Sequence, residues 1–438
     1  MNNKLILWSI TVGLGGFLFG LDTAVISGAE KDIQALWNLS DIKLGFAVGT
    51  ALYGTIFGAA FGGIPADKFG RRATLLWIGI LFFVSALGAA FATDVNMFMI
   101  FRFIGGLSIG ASSVVAPVYI SEIAPPQYRG RMVISFQFNI VFGILIAYVS
   151  NYLFDGFGGD NDWRWMLGVV ALPSLVFSAM VLFTPESPRW LITRKGDEDT
   201  ARKVLAITEP DVDKAVEEIK ASQQGDNTGV QESFFSKKFS TPILLAFLFA
   251  FFNQLSGINA IIYFAPRIFE MTGLGQSSAL LSTAGIGLVN LVFTIAGWYF
   301  IDRLGRKTLM YIGSVGYIVS LALVAYAFYT NGHGMTTYFI FMFIASHAIG
   351  QGAVIWVFIS EIFPNSVRAS GMAWGSLTHW VFAAIIASTF PYFASTYGGA
   401  PIFAFFSFMM VLQLLYVWFM MPETKGVSLE DLQKRLIK

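Results

Sequence analysis

The sequence predicts an all-α membrane protein of twelve transmembrane helices, arranged as two pseudo-symmetric six-helix bundles with amphipathic helices on the cytoplasmic face. Three observations predict it. Of 438 residues, 55% are hydrophobic and only 13% charged, against about 25% charged in soluble domains. A chain this poor in charge cannot cover itself with a polar surface, and a bilayer as solvent removes the difficulty. Apolar stretches of roughly 20 residues, the length that crosses a bilayer, recur along the chain. Finally, a short cassette occurs twice. Its first copy reads Gly63-Ile-Pro-Ala-Asp67-Lys-Phe-Gly70-Arg71-Arg72 and its second Trp298-Tyr-Phe-Ile-Asp302-Arg-Leu-Gly305-Arg306-Lys307, a shift of 235 residues from Asp67 to Asp302. A second pair, Tyr119-Ile-Ser-Glu122-Ile-Ala-Pro with Arg129 and Phe358-Ile-Ser-Glu361-Ile-Phe-Pro with Arg368, is offset by 239. Two similar membrane halves are the mark of a secondary transporter, whose halves rock about a central site.

The spans read as 5–27, 43–66, 73–93, 96–120, 130–154, 164–184, 241–268, 277–300, 307–329, 337–360, 369–393 and 400–421. Gly and Pro within them are tolerated in membrane helices. Six spans precede the one long polar stretch and six follow it. The division is therefore an N-terminal bundle (1–185), a cytoplasmic helical linker (186–240), a C-terminal bundle (241–421) and a short polar tail (422–438). In the linker, Ala201, Val204, Leu205, Val212, Val216 and Ile219 have the spacing of short amphipathic helices, and 223–229 reads as a flexible loop. Lys and Arg set the orientation. With both termini cytoplasmic, only Lys31, Lys43, Arg164 and Arg267 of the 28 basic residues fall on the outer side, while Arg102 lies inside a span. The opposite orientation inverts the bias.

Several function classes are excluded. Cysteine is absent and net charge is +1, so no disulfide framework, thiolate metal site or nucleic-acid surface is expected. The first apolar pattern runs to about Ser27, too long for a signal core, and no small-residue cleavage site follows it. Gly13-Leu-Gly15-Gly16 has no strand before it and reads as helix packing rather than a nucleotide loop. No Walker lysine motif is present, which argues against ATP-driven pumping. Asp155, Asp160 and Asp162 lack the spacing of an EF-hand and read as a solvated loop. No metal or other cofactor is expected.

The charged residues inside the spans are the informative ones. Asp22 sits in Phe17-Leu-Phe19-Gly20-Leu-Asp22-Thr-Ala-Val-Ile-Ser27-Gly28. A charge near the bilayer centre costs at least about 2.5–3.5 kcal/mol, so this carboxylate must be paired, solvated or protonated. Arg102 is the one basic residue placed within a span. Span seven carries Asn253-Gln254-Leu-Ser-Gly-Ile-Asn259 and then Tyr263. An amide offers both a donor and an acceptor.

These motifs, taken in order, resemble a known family. Gly62-Gly-Ile-Pro-Ala-Asp67-Lys-Phe-Gly70-Arg71-Arg72 resembles the loop 2–3 motif of the major facilitator superfamily, and 298–307 its loop 8–9 copy. Pro185-Glu186-Ser187-Pro188-Arg189-Trp190-Leu191 and Pro422-Glu423-Thr424-Lys425-Gly426 resemble the paired signatures of its sugar porter family. The match runs from about Gly16 to Gly426, and is closest in type to bacterial proton-coupled monosaccharide symporters of the xylose kind. The resemblance implies the major facilitator fold and import of a monosaccharide with a proton by alternating access. The chain would be a functional monomer in a bacterial cytoplasmic membrane, with sugar, proton and lipid as its partners. It places Asp22 against Arg102 as the proton-coupling pair, where passive uniporters commonly carry Asn. It implies sugar contacts from Gln137, Asn253, Gln254, Asn259, Asn290, Gly352, Trp356 and Trp380, with Phe19 and Tyr263 closing the pocket and His379 beside them. A cytoplasmic gate follows, in which carboxylates and bases of Asp67, Arg71 and Arg72 pair with those of Asp302, Arg306 and Lys307 across the cytoplasmic face, locking the outward-facing state and parting when it opens inward; Glu122 with Arg129 and Glu361 with Arg368 extend the network, joined by Glu186 and Arg189. Arg suits such sites because its fork binds carboxylates bidentately.

Three positions depart from the pattern: Ala353 follows Gly352 where the family often has Pro, His379 stands where an amide is common, and Ile144 replaces a second Gln. An uncoupled uniporter of the same fold is the alternative function. A sugar sensor that does not transport fits the short tail poorly, and a multidrug exporter fits the amide-rich seventh span poorly.

Overall fold

Apolar runs in a solvent without hydrogen-bonding capacity must satisfy their backbone internally, and the helix does so within one segment. The computed structural model describes residues 3–209, 211–226, 233–364, 366–427 and 429–437, and among them the regular elements are all helices. Twelve are long and apolar enough to cross a membrane: Lys4–Leu36, Asp41–Phe61, Arg71–Ala90, Val95–Ile123, Ile134–Phe154, Gly159–Val181, Lys237–Glu270, Gln276–Leu304, Arg306–Thr330, His333–Ile362, Arg368–Tyr397 and Gly399–Phe419. They are numbered below in chain order as the first to twelfth spans.

Each span falls where an apolar run predicts one, but the first is longer than its apolar run. It continues past Ser27 through Glu30, Lys31, Asp32 and Gln34 to Leu36. The helix persists because its charged end is paired: Glu30 and Gln34 bond Arg267, and Lys31 pairs with Glu270. The linker forms helices Glu198–Thr208 and Val212–Asp226, the first burying Ala201, Val204 and Leu205 and opened by Asp197, whose carboxylate accepts from the Thr200 N–H at 3.1 Å. That bond holds the Asp197 carboxyl below its ordinary range. Of the loop expected over 223–229, residues 223–226 continue the second of these helices and the rest lies outside the described residues.

The chain gathers into two compact units. One comprises Met1–Thr23, Tyr53–Ile144 and Leu167–Gln231; the other comprises Ala24–Leu52, Leu145–Met166 and Glu232–Lys438. Contacts therefore group segments 24–52 and 145–166 with the later part of the chain, a grouping that chain order alone does not express. Within the first unit the third span packs on the fourth and sixth; within the second the ninth packs on the tenth and twelfth. The same partners recur six spans on, which is the duplication of the cassettes expressed in packing.

Three spans are interrupted: the sixth between Asp162–Gly168 and Ala171–Val181, and the seventh and tenth at breaks that position polar groups. The seventh consists of Ser240–Leu255 and Ile258–Met271, parted at Gly257, whose φ of +82° lies in the left-handed region. A Cβ there would stand 2.5 Å from the Phe406 ring, so both conformation and space require glycine. The tenth divides into Thr336–Ile349 and Gln351–Ile362 at Gly350, whose Cα approaches Gly313 of the ninth span closely enough that a Cβ would lie 2.9 Å away. Gly257→Ala should therefore destabilise the fold by about 1–3 kcal/mol, seen as a lower midpoint of thermal unfolding in detergent.

Candidate functional site

The break in the seventh span faces three amides toward one another. Asn259, just after it, donates from Nδ2 to Gln254 Oε1 at 2.6 Å, and Gln254 Nε2 donates to Asn253 Oδ1 at 2.9 Å. The same Nε2 lies 3.1 Å from His379 Nδ1 and 3.2 Å from Nε2 on the eleventh span, and either nitrogen accepts when the ring is neutral. Both protons of the Gln254 amide are thus engaged. Asn253 Nδ2, Asn259 Oδ1 and the second imidazole nitrogen retain capacity for a polar ligand. The His379 ring is flanked by Trp356 at 5.3 Å and Trp380 at 4.8 Å between centroids. Polar groups inside an aromatic frame are what a hydroxyl-rich ring with apolar faces requires.

The other expected sugar contacts take these places. Tyr263 is buried four residues beyond Asn259 on the same helical segment. Asn290 is half-buried in the eighth span and accepts from Thr294 Oγ1 at 3.4 Å. Gly352 follows the tenth-span break, where a Cβ would lie 3.1 Å from the His347 carbonyl oxygen. Phe19 and Gln137 belong to the first unit, the former buried and the latter half-buried. A buried chain that sequence reading missed fixes the tenth-span break: the Tyr317 hydroxyl bonds His347 Nδ1 at 2.6 Å and Gln351 Oε1 at 3.1 Å, Gln351 Nε2 donates to Gln413 Oε1, and Gln413 Nε2 to Ser314 Oγ at 2.8 Å. Its members are scattered over the ninth, tenth and twelfth spans, so no local motif signals them.

In the first unit, Arg102 Nη1 donates to Asp22 Oδ1 at 2.9 Å and Nη2 to the Asp22 carbonyl at 3.1 Å. Both side chains are about 1–2% exposed. Asp22 Oδ2 and Arg102 Nε have no hydrogen-bond partner. The pair is buried and half-satisfied: one carboxylate oxygen is committed to Arg102 and the other is bare.

The cassette residues build two matching clusters. In the first, Glu186 accepts from the backbone N–H groups of Arg71 (2.8 Å), Arg72 (3.2 Å) and Ser187 (2.8 Å). In the second, Glu423 accepts from Arg306 (3.0 Å), Lys307 (3.0 Å) and Thr424 (3.0 Å). Each carboxylate thereby caps the N-terminus of the third or ninth span, where unpaired N–H groups and the helix dipole favour a negative charge. The chain enters each span through Gly70 or Gly305, at φ +100° and +93°, and a Cβ at either would come within 2.6 Å of the capping carboxylate. Arg71 then forks onto Glu122 at 2.9 and 3.1 Å, and Arg306 onto Glu361 at 3.2 and 2.9 Å.

Asp67 and Asp302 pair with the same arginines at 2.9 and 3.0 Å but are mostly exposed, which makes those bonds weak. The pairs described are made inside each cluster. Two expectations change. Arg368 donates to the Phe363 carbonyl at 3.4 Å and not to Glu361, which Arg306 and the Thr424 hydroxyl occupy. Arg72 reaches the Leu182 carbonyl and Lys307 the Trp418 carbonyl, so it is their backbone N–H groups that meet carboxylates. Arg189 is exposed, and the side chain of Arg129 lies outside the described residues.

Residues 8–436 match the family model described as "Sugar (and other) transporter". The chain belongs to the sugar transporter family. It is 35% identical over 476 residues to the D-xylose-proton symporter of Escherichia coli (strain K12), covering 98% of this chain and 96% of that one. With the arabinose-proton symporter of Bacillus subtilis it shares 35% identity over 443 residues, covering 99% and 95%. Among solved structures it is similar to the inward-open xylose transporter XylE from E. coli, with a TM-score of 0.87 at 33% identity over 98% of this chain and 99% of that one. It is likewise similar to the symporter bound to 6-bromo-6-deoxy-D-glucose, with a TM-score of 0.81 at 33% identity over 99% of each chain. The molecule is thus a multi-pass membrane protein of the major facilitator fold and a sugar transporter, not an enzyme.

In this transporter Glu423 is the residue that sequence reading passed over most visibly. It lies within the Pro422–Gly426 signature and occupies the position after the twelfth span that Glu186 occupies after the sixth. Since each caps one helix start, Glu186→Ala and Glu423→Ala should cost similar amounts, on the order of 1–2 kcal/mol each. Calorimetric unfolding of the purified variants checks both the size and the equality.

Proposed function

We propose that this protein is a proton-coupled monosaccharide importer working by alternating access, resident as a monomer in a bacterial cytoplasmic membrane with both termini cytoplasmic. The observation that carries the reading is the bare Oδ2 of Asp22 beside an engaged Oδ1. An ionised carboxylate at this depth is tolerated only through Arg102. A proton arriving at Oδ2 neutralises the acid, weakens its hold on Arg102 and leaves the guanidinium to find other acceptors. The pair is therefore bistable in the sense a coupling site needs: charge separation in one state, a neutral acid in the other, with the equilibrium set by proton supply. Burial keeps bulk water from screening the difference.

The sugar is held by Asn253, Gln254, Asn259 and His379, with Trp356 and Trp380 against its apolar faces. Names of relatives agree in class: D-xylose-proton symporter, arabinose-proton symporter and D-xylose transporter. A pentose or hexose is the substrate class this chemistry favours. The amide and imidazole groups left uncommitted include both donors and acceptors, which matches neighbouring hydroxyls that each act as both. The two capped clusters hold the inner ends of the third and ninth spans as rigid pieces during the change of state.

Uptake into proteoliposomes tests the coupling. Sugar should accumulate against its gradient when a proton gradient is imposed, and flux indifferent to that gradient would leave the uncoupled uniporter as the function. Asp22→Asn should abolish accumulation while sparing sugar exchange. Gly105→Ala should impair accumulation as well, because the new Cβ would lie 3.2 Å from Asp22 Oδ2 and 2.5 Å from Ser85 Oγ. Gln254→Ala removes a group with three buried hydrogen-bond partners, a loss of about 1–3 kcal/mol. Its sugar Kd should rise about 5- to 150-fold in a direct binding titration, with coupling retained.

A further inference from the structure

The outer ends of the first and seventh spans hold a charge cluster that the sugar and proton sites do not use. Arg267 forks onto Glu30, Nε to Oε1 at 2.9 Å and Nη2 to Oε2 at 2.6 Å, and the same Nη2 donates to Gln34 Oε1 at 2.6 Å. Gln34 Nε2 passes the chain on to Asp41 Oδ1 at 2.9 Å, at the start of the second span. One turn further along the seventh span, Glu270 pairs with Lys31. The Glu30 side chain is 0% exposed, while those of Arg267 and Lys31 are 17% and 44% exposed. Below this cluster, Pro266 has no N–H to offer the Ile262 carbonyl one helical turn back, and the Tyr148 hydroxyl of the fifth span fills that vacancy at 2.9 Å. These contacts all lie in the second unit, and all but the Gln34–Asp41 bond join first-half spans to the one segment Ile258–Met271. That segment carries Asn259 of the sugar cluster and Arg267 eight residues on, about 12 Å along the axis. It is delimited by the left-handed Gly257 and kinked at Phe264 (φ −127°, ψ 20°).

We propose that Glu30 and Arg267, with Gln34 and the Lys31–Glu270 pair, form an extracellular latch that holds Ile258–Met271 shut over the sugar cluster and must part for sugar to enter from outside. The physical case is the asymmetry of burial. A bidentate arginine–carboxylate pair is among the strongest polar contacts available to side chains. With Glu30 sealed it survives only while Arg267 stays, and separation is feasible only if both charges reach water together. Arg267 and Lys31 already touch solvent, so parting the helices hydrates every member at once. A purely structural pair needs neither the solvent-facing arginine nor a hinged helix. This inference rests on the alternating-access reading, and its test needs no sugar.

The chain has no cysteine, so single reporters can be introduced into the full-length protein. Ser27→Cys lies one turn before Glu30 on the same helical face, at 2% exposure; Ser360→Cys lies at the opposite end of the molecule, in the tenth span. A water-soluble thiol reagent applied in detergent reads the opening of each side. Glu30→Gln and Arg267→Met should each speed labelling at Ser27→Cys by about tenfold or more and slow it at Ser360→Cys. The exchanged pair, Glu30→Arg with Arg267→Glu, should bring both rates back toward the parent. Unchanged labelling at Ser27→Cys in Glu30→Gln overturns the proposal, as does a rise at both reporters together, which is the behaviour of a loosened fold. Should Arg267→Met fail to fold, Glu30→Gln decides the matter alone. If the variants show the opposite changes at the two reporters while the parent takes up no sugar in proteoliposomes, the transport reading fails and the latch stands.

Discussion

A charge inside the hydrocarbon region must be paired or neutralised, and the fold is arranged around how that requirement is met. Asp22 and Arg102 meet it most narrowly. They share one strong bond, the guanidinium reaches back to the aspartate's own carbonyl, and one oxygen is left bare. A fully satisfied pair would be a static brace. The incomplete satisfaction gives this pair a second acceptable state, because a proton on the bare oxygen removes the charge that made pairing obligatory. The surroundings keep that option open: Ser85 spends its hydroxyl on the Phe101 carbonyl, and Gly105 presents no side chain to Oδ2.

The same accounting extends to the backbone. Breaking a helix within the membrane frees carbonyls and N–H groups that lipid cannot satisfy, and three breaks here come with their own partners. At Gly257 the Ser256 hydroxyl donates to the Asn253 carbonyl and the amides of Asn253, Gln254 and Asn259 bond one another. At Gly350 the chain from His347 through Tyr317, Gln351 and Gln413 to Ser314 surrounds the bend. At Pro266 the partner is Tyr148. The polar groups that could bind a sugar therefore sit where the helix is already interrupted. The interruption supplies the geometry, and the side chains that repair it are the ones proposed to recognise the sugar.

How much of this is legible in the sequence follows from the kind of pattern each feature leaves. Twelve apolar runs, the duplicated cassettes and the amides of the seventh span are local in the chain, and all were readable. So was the need for a partner to Asp22, since Arg102 is the basic residue that falls within a span. Partner choice is not local. That Arg306 holds Glu361 while Arg368 turns to a backbone carbonyl depends on how the helix ends meet. The last third of the first span is illegible for a related reason. Glu30, Lys31 and Gln34 look like a loop unless their partners 233 to 239 residues away are known. Arg267 itself registered only as an exception to the charge bias of the loops.

The charge clusters differ in solvent access, and that difference sorts them by what they can do. Asp67 and Asp302, more than half exposed, add little to the arginines they touch; Glu186 and Glu423 take their hold from backbone N–H groups that move with their own helices. Neither arrangement stores a difference between two conformations. Glu30 with Arg267 does, because its sealed carboxylate and its solvent-touched guanidinium can be separated only by moving helices apart. In the proposed coupling Asp22 with Arg102 also does, because protonation alone can separate it. A transporter that couples an ion to a sugar needs one contact that answers to motion and one that answers to a proton. In the proposed importer these two pairs divide the task in that way.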